Sequence, residues 1–128
     1  MRFYTDGSRV GKLNEGPGFV IGWAGVCDTG VIAAGSRVGG SNINAEIFAI
    51  RDTLRNLLAY RRKMLENAKK EEDNKIEIVT DSKTSIQIIT GMTNAPNEYN
   101  LDESENYKTA DEIIKLIIKL KDLGFDVS

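Results

Sequence analysis

The chain has 128 residues, enough for one domain around one hydrophobic core, and its 41% hydrophobic content is that of a globular protein. It contains no histidine and a single cysteine, Cys27, which excludes Ser/Cys–His catalysis, histidine-ligated zinc and an internal disulfide within these residues. A formal charge of -2 excludes a global basic field, so a nucleic-acid partner would need a local basic patch or bound cations.

In chain order, Arg2 to Asp6 reads as a short strand ending in an acid, with Gly7-Ser8 expected to break it. A glycine-punctuated stretch runs to Gly18. Phe19 to Cys27 then reads as a strand with Phe19, Ile21, Trp23 and Cys27 on one face. Asp28-Thr29-Gly30 is a hairpin signal, Val31 to Val38 a third strand, and Gly39-Gly40 its end. Ile47, Ile50, Leu54, Leu57 and Leu58 recur at helical spacing, which predicts a long helix starting near Asn44 and running on past Met64, Leu65 and Ala68. Arg51, Arg55 and Arg62 give that helix a basic, solvated face.

Lys75 to Thr80 is a half-alternating strand that also ends in an acid, Asp81. Ser82 suits the cap of a short helix through Ile89, stopped by Gly91. Residues 92–107 read as polar loop. Thr109-Ala110-Asp111-Glu112 has the form of a capping box, opening a helix that carries Lys119 and Lys121 near its end and stops at Gly124. Phe125 to Ser128 begins a last strand. The order β-β-β-α-β-α-α-β predicts an α/β fold, a mixed sheet flanked by helices. No apolar run reaches the roughly 18 residues that span a membrane, and the N-terminus runs straight into a strand, so neither a membrane segment nor a cleavable signal is expected.

Three acids stand out against this layout. Asp6 and Asp81 each follow a strand of apolar and β-branched residues; if those strands are parallel neighbours, their ends lie about 5 Å apart. Both would then project at the carboxyl edge of the sheet, where α/β sheets bind ligands. Glu46 lies in the first helical turn and shares its face with Ala49 and Ile50, which turns it toward the sheet. Each has an ordinary reading taken alone: Asp-Gly-Ser as a turn, Asp81-Ser82 and Glu46 as caps. Together, three converging carboxylates would repel one another and raise each other's pKa, a conflict that hard cations such as Mg²⁺ or Mn²⁺ remove. Two such ions can drive an in-line displacement at a phosphate.

Thr5-Asp6-Gly7-Ser8, Gly16-Pro17-Gly18-Phe19, Ser41-Asn42-Ile43-Asn44-Ala45-Glu46 and Thr80-Asp81-Ser82, in this order, resemble the motifs of ribonuclease H of the first type, and the resemblance covers nearly the whole chain. It implies an RNase H-like mixed sheet of five strands, three antiparallel and then parallel crossover strands. It further implies a two-metal endonuclease for the RNA strand of RNA–DNA hybrids, with Asp6, Glu46 and Asp81 as catalytic metal ligands for two Mg²⁺ or Mn²⁺ ions. Asn42 matches the residue that reads RNA 2′-hydroxyls and Ser41 one that binds a DNA phosphate. Asn44 and Lys83 complete the expected substrate contacts. Ile43 stands where a second Asn is usual.

The family's fifth strand leads into a loop with a His and a helix with a fourth metal-binding acid. The expectation here is a single domain, residues 1–128, with an incomplete last strand and without that loop and helix. The fourth acid would come from a larger polypeptide or a second chain. Asp126 lies in the strand and does not match it. Glu98, Asp102, Glu103 and Glu105 make the 92–107 connector acidic where some relatives carry a basic protrusion, so it would repel a duplex. The expected setting is the cytoplasm, a nucleoid or viral replication, without secretion. Two other readings stay open: a catalytically impaired scaffold or nucleic-acid-binding domain of a larger protein, and a nuclease for DNA, against which Asn42 argues.

Overall fold

The computed structural model describes residues 1–12, 19–28, 30–60, 75–90 and 101–128. Its elements are β1 (Arg2–Lys12), β2 (Phe19–Cys27), β3 (Gly30–Val38), α1 (Asn42–Ala59), β4 (Lys75–Val79), α2 (Lys83–Ile89), α3 (Leu101–Asp122) and β5 (Asp126–Val127). They build one five-stranded sheet in the order β3-β2-β1-β4-β5. β1 is central: it pairs antiparallel with β2 and parallel with β4. β5 continues the parallel half through Lys75↔Asp126 and Ile76↔Val127, and Ser128 extends it by donating its N–H to the carbonyl of Ile76.

Helix α1 packs across β1 and β2 and against α3. The apolar stripe expected of it is the centre of the core: Ile47, Ile50, Leu54 and Leu57 are buried, with Phe3 and Ile76 from the sheet and Ile113 and Leu120 from α3. Burying such side chains is worth roughly 1.5–3 kcal/mol each, which makes this seam the main attachment of helix to sheet. Trp23 sits at its margin. Its ring meets Phe48 edge-on at 5.2 Å, and its Nε1–H donates to Asp52 at 2.7 Å.

Three boundaries differ from the sequence reading. β1 does not end at Asp6; Gly7, Ser8 and Arg9 pair with Trp23, Gly22 and Ile21, so ladder hydrogen bonds override the turn propensity of Gly-Ser. α1 starts at Asn42, because Ser41 is its cap: Ser41 Oγ accepts the Asn44 N–H, and Asn44 Oδ1 accepts the Ser41 N–H. α3 starts at Leu101, so 101–107 are helix and not loop. Thr109 lies buried within it, its hydroxyl donating to the Glu105 carbonyl instead of capping a terminus. The expected features at Gly16–Gly18, Met64, Leu65 and Ala68, Gly91 and residues 92–100 lie outside the described residues. Among the described residues no helix is long and apolar enough to cross a membrane.

Candidate active site

Two features of the backbone bring the three acids together. The last parallel pair between β1 and β4 is Tyr4↔Val79, so Asp6 and Asp81 each stand two residues beyond it, in step. Thr5 stitches the strands just before that point, its hydroxyl 3.4 Å from the Val79 carbonyl. The second feature is Gly7. A Cβ there would lie 2.3 Å from the carbonyl carbon of Ala45 and 2.6 Å from the Glu46 nitrogen, so only glycine lets the first turn of α1 rest on β1. That contact sets Glu46 beside Asp6. One carboxylate oxygen from each of Asp6, Glu46 and Asp81 lies within 4.8 Å of the others.

Among the described residues, polar groups and not paired cations surround the cluster. Asp6 and Asp81 are exposed and Glu46 half-buried. Asp6 Oδ1 accepts the Gly7 N–H at 2.9 Å. Among the described residues no Lys or Arg forms an ion pair with any of the three. Burial pushes the Glu46 carboxyl above the usual range, and the neighbouring charges of Asp81 and Asp6 push the same way. A hydrogen bond from Ser82 opposes them. Ser82 is itself buried, caps α2 and lies 2.7 Å from Ser85 Oγ. Three convergent hard oxygen donors, with no nitrogen or sulfur among them, are the donor set of Mg²⁺ or Mn²⁺.

No protein-family model matches the sequence, and no curated protein matches it significantly. Solved structures do match the fold. LC11-RNase H1 from a compost metagenome aligns with a TM-score of 0.60 at 15% identity, over 99% of this chain and 81% of that one. RNase H1 of the archaeon Halobacterium salinarum aligns at 0.51 and 20% identity, over 98% and 79%. The chain has the ribonuclease H fold. The same fold forms part of the foamy viral protease-reverse transcriptase, matched at a TM-score of 0.50 and 17% identity over 99% of this chain and 16% of that one.

On this ribonuclease H fold the expected substrate contacts fall in two places, and one of them is inside. Asn42, the first residue of α1, is exposed. Its Oδ1 accepts the Arg9 N–H at 2.6 Å, which fixes the flip of the amide and leaves its NH₂ as the outward donor. Lys83 opens α2 two residues after Asp81 and is exposed. Ser41 is half-buried, and its hydroxyl is engaged with Asn44 as donor and as acceptor. Asn44 is fully buried, so its side chain cannot meet a duplex. Its carboxamide instead joins Ser41 to Asn106 of α3, with Nδ2 donating to Asn106 Oδ1 at 2.7 Å.

The expected basic face of α1 is neutralised where it is described. Arg51 pairs with Asp52 at 2.9 Å and lies over the Phe48 ring, and Arg55 pairs with Glu112. Sequence reasoning passed over Asn106, Ser82 and Ser85 as partners of the site. Their signal, a polar residue at a core-facing helical position, is weak in a single sequence.

Proposed function

We propose that this protein is a divalent-metal-dependent endonuclease that cuts the RNA strand of RNA–DNA hybrids. The observation that carries the reading is the cluster of Asp6, Glu46 and Asp81, three carboxylates with oxygens inside 4.8 Å of one another and, among the described residues, no cationic side chain in an ion pair with them. Such a cluster costs folding free energy, and a bound cation offsets that cost. LC11-RNase H1, which shares the fold at a TM-score of 0.56, has been solved in complex with an RNA/DNA hybrid.

Asp6, Glu46 and Asp81 would hold two ions. When bound, these supply Lewis acidity toward a phosphate oxygen and lower the pKa of water. The chain's own residues do the rest. Asn42, four residues before Glu46 on α1, presents its amide N–H groups as donors to a ribose 2′-hydroxyl, which is how a protein separates RNA from DNA. Lys83 offers a cation to the backbone near Asp81. Ser41 and Asn44 hold the turn on which Asn42 stands. A fourth acid, as the resemblance implies, would come from outside the described residues, from the same polypeptide or another chain. Work on hybrids sets the protein in the cytoplasm, a nucleoid or a viral replication complex.

The test is cleavage of labelled RNA–DNA, DNA–DNA and RNA–RNA duplexes of one sequence with Mg²⁺ or Mn²⁺. Hybrid cleavage by the wild type, lost by at least about a thousandfold in Asp6→Asn and Asp81→Asn, is expected. Undiminished cleavage by either variant, or preference for DNA–DNA, would reject the proposal. Hybrid binding without turnover in any metal would favour the scaffold reading.

A further inference from the structure

The segment that carries Asn42 and leads to Glu46 is held from behind by two consecutive residues of α3. Asn106 is buried and accepts a hydrogen bond from Asn44 Nδ2 at 2.7 Å. Asn44 Oδ1 in turn accepts from both the N–H and the hydroxyl of Ser41, at 2.9 Å each. Glu105, one residue earlier on α3, takes Arg37 through both carboxylate oxygens, at 2.5 and 3.2 Å. Arg37 closes the other side of the turn: its Nε donates to the Gly39 carbonyl at 3.3 Å, and its guanidinium lies over the Phe48 ring, 4.9 Å from the centroid. The turn is wound tightly around this clamp. Gly40 has a φ of +117°, and a Cβ there would lie 2.9 Å from Ile21 Cδ1 and 3.1 Å from Arg37 Nη2.

A buried amide pair is seldom the most stabilising choice for a helix contact, because an apolar pair of equal volume avoids desolvating four polar atoms. What it adds is geometry. Two directional hydrogen-bond chains, Asn106–Asn44–Ser41 and Glu105–Arg37–Gly39, fix residues 39–44 along two lines. An apolar contact would leave the turn free to slide. The other side of the same turn is tied to β1 by Asn42 and the Arg9 N–H. The turn is therefore pinned between α3 and the strand that carries Asp6.

We propose that Asn106 and Glu105 are positioning residues, which set the turn 39–44 against the carboxylate cluster so that Asn42 and the metal ligands engage one stretch of nucleic-acid backbone. The inference rests on the nuclease reading for its ligand, but the clamp itself has a readout that needs no substrate. Neither residue touches the acids, so loosening the clamp weakens duplex binding while leaving ion binding in place.

The experiment compares Asn106→Ala, Asn44→Ala, the double variant and Glu105→Gln. The last lies at a half-exposed position, where folding is not at risk. Amide hydrogen exchange of residues 39–45, Mn²⁺ affinity and hybrid affinity without turnover, in Ca²⁺, are measured for each. Expected are faster exchange confined to the turn, hybrid binding weaker by roughly five- to tenfold, Mn²⁺ affinity within about twofold, and a double variant no worse than Asn44→Ala alone, which already breaks both the Asn106 and the Ser41 bonds. Unchanged exchange in the turn would overturn the clamp. Faster exchange with unchanged hybrid affinity would overturn its positioning role, as would additive losses in the double variant. A wild type that binds no hybrid but shows the exchange pattern would reject the nuclease reading and leave the clamp standing as architecture.

Discussion

Two charged regions of this molecule are built on opposite principles. On the flank of α1, Asp52 accepts from Trp23 and Arg51 and lies 3.7 Å from Arg55, which also pairs with Glu112; negative charge there is met by positive charge. At the carboxyl edge of β1 and β4, three acids meet one another instead, with no such partner among the described residues. The flank is a finished structure, whereas on the proposed reading the edge is balanced by a bound cation. Charge that a fold concentrates without compensating is the physical signature of a site.

The largest effect expected from this contrast is at the edge. Glu46→Gln keeps the shape and one oxygen of the side chain but removes a charge. Metal-dependent hybrid cleavage should fall by at least about a hundredfold, the scale of losing one ligand from a Lewis-acid site. The same variant should unfold at a higher temperature than the wild type in EDTA, because it removes repulsion from Asp6 and Asp81. A drop in both activity and metal-free stability would show that Glu46 belongs to the architecture, like Asp52.

Next in size is Gly7→Ala. The added methyl meets backbone atoms of Ala45 and Glu46, which have no rotamer with which to yield. A loss of about 3 kcal/mol is expected by chemical denaturation, together with weaker Mn²⁺ binding as α1 is pushed from β1. Stability within 0.5 kcal/mol of wild type, on the order of a surface change, would mean that α1 does not rest on Gly7.

These residues also show what a sequence exposes and what it hides. The alternation in Phe19–Cys27, the helical stripe from Ile47 to Leu57 and the acids closing two β-strands are local patterns; a mixed sheet flanked by helices follows from them with chain-topology rules, and the family resemblance supplied its five-stranded form. Asp6, Glu46 and Asp81 were legible because each is tied to the end or start of an element, and element ends are what topology brings together. Asn44 was misplaced for the opposite reason. Its identity matched a surface role, while its burial depends on Asn106, sixty-two positions away. The start of α3 was missed because two of the residues it buries there, Asn106 and Thr109, are polar and add nothing to an apolar stripe. The reach of β1 past Gly7 was missed because its cause, pairing with Trp23 and Gly22, lies on another strand.

A smaller effect is expected at the flank. Asp52→Asn retains an acceptor for Trp23 Nε1–H but loses the charge that faces Arg51 and Arg55. About 1 kcal/mol of stability should go, with metal affinity and cleavage unchanged. If Asp52→Asn stabilised the protein, the flank too would hold surplus negative charge, and the contrast with the edge would collapse.

The most delicate test is the pH dependence of stability with and without metal. The folded Glu46 carboxyl titrates above its unfolded value, mainly through burial and then through Asp81 and Asp6. For a raised carboxyl the folded state holds its proton longer than the unfolded chain does. Its contribution is therefore fully present below the unfolded pKa, about 4.3, and is lost as pH rises through the higher folded value. In EDTA the wild type should lose some stability across that interval relative to Glu46→Gln. Saturating Mg²⁺ should reverse the sign of the difference near neutral pH, because ion binding favours the ionised, folded cluster. The effect is small, since Glu46 is only half-buried, and the comparison with Glu46→Gln isolates it from the other carboxylates. Parallel pH curves for the two proteins, with and without Mg²⁺, would mean that the three acids neither strain the fold nor hold a cation.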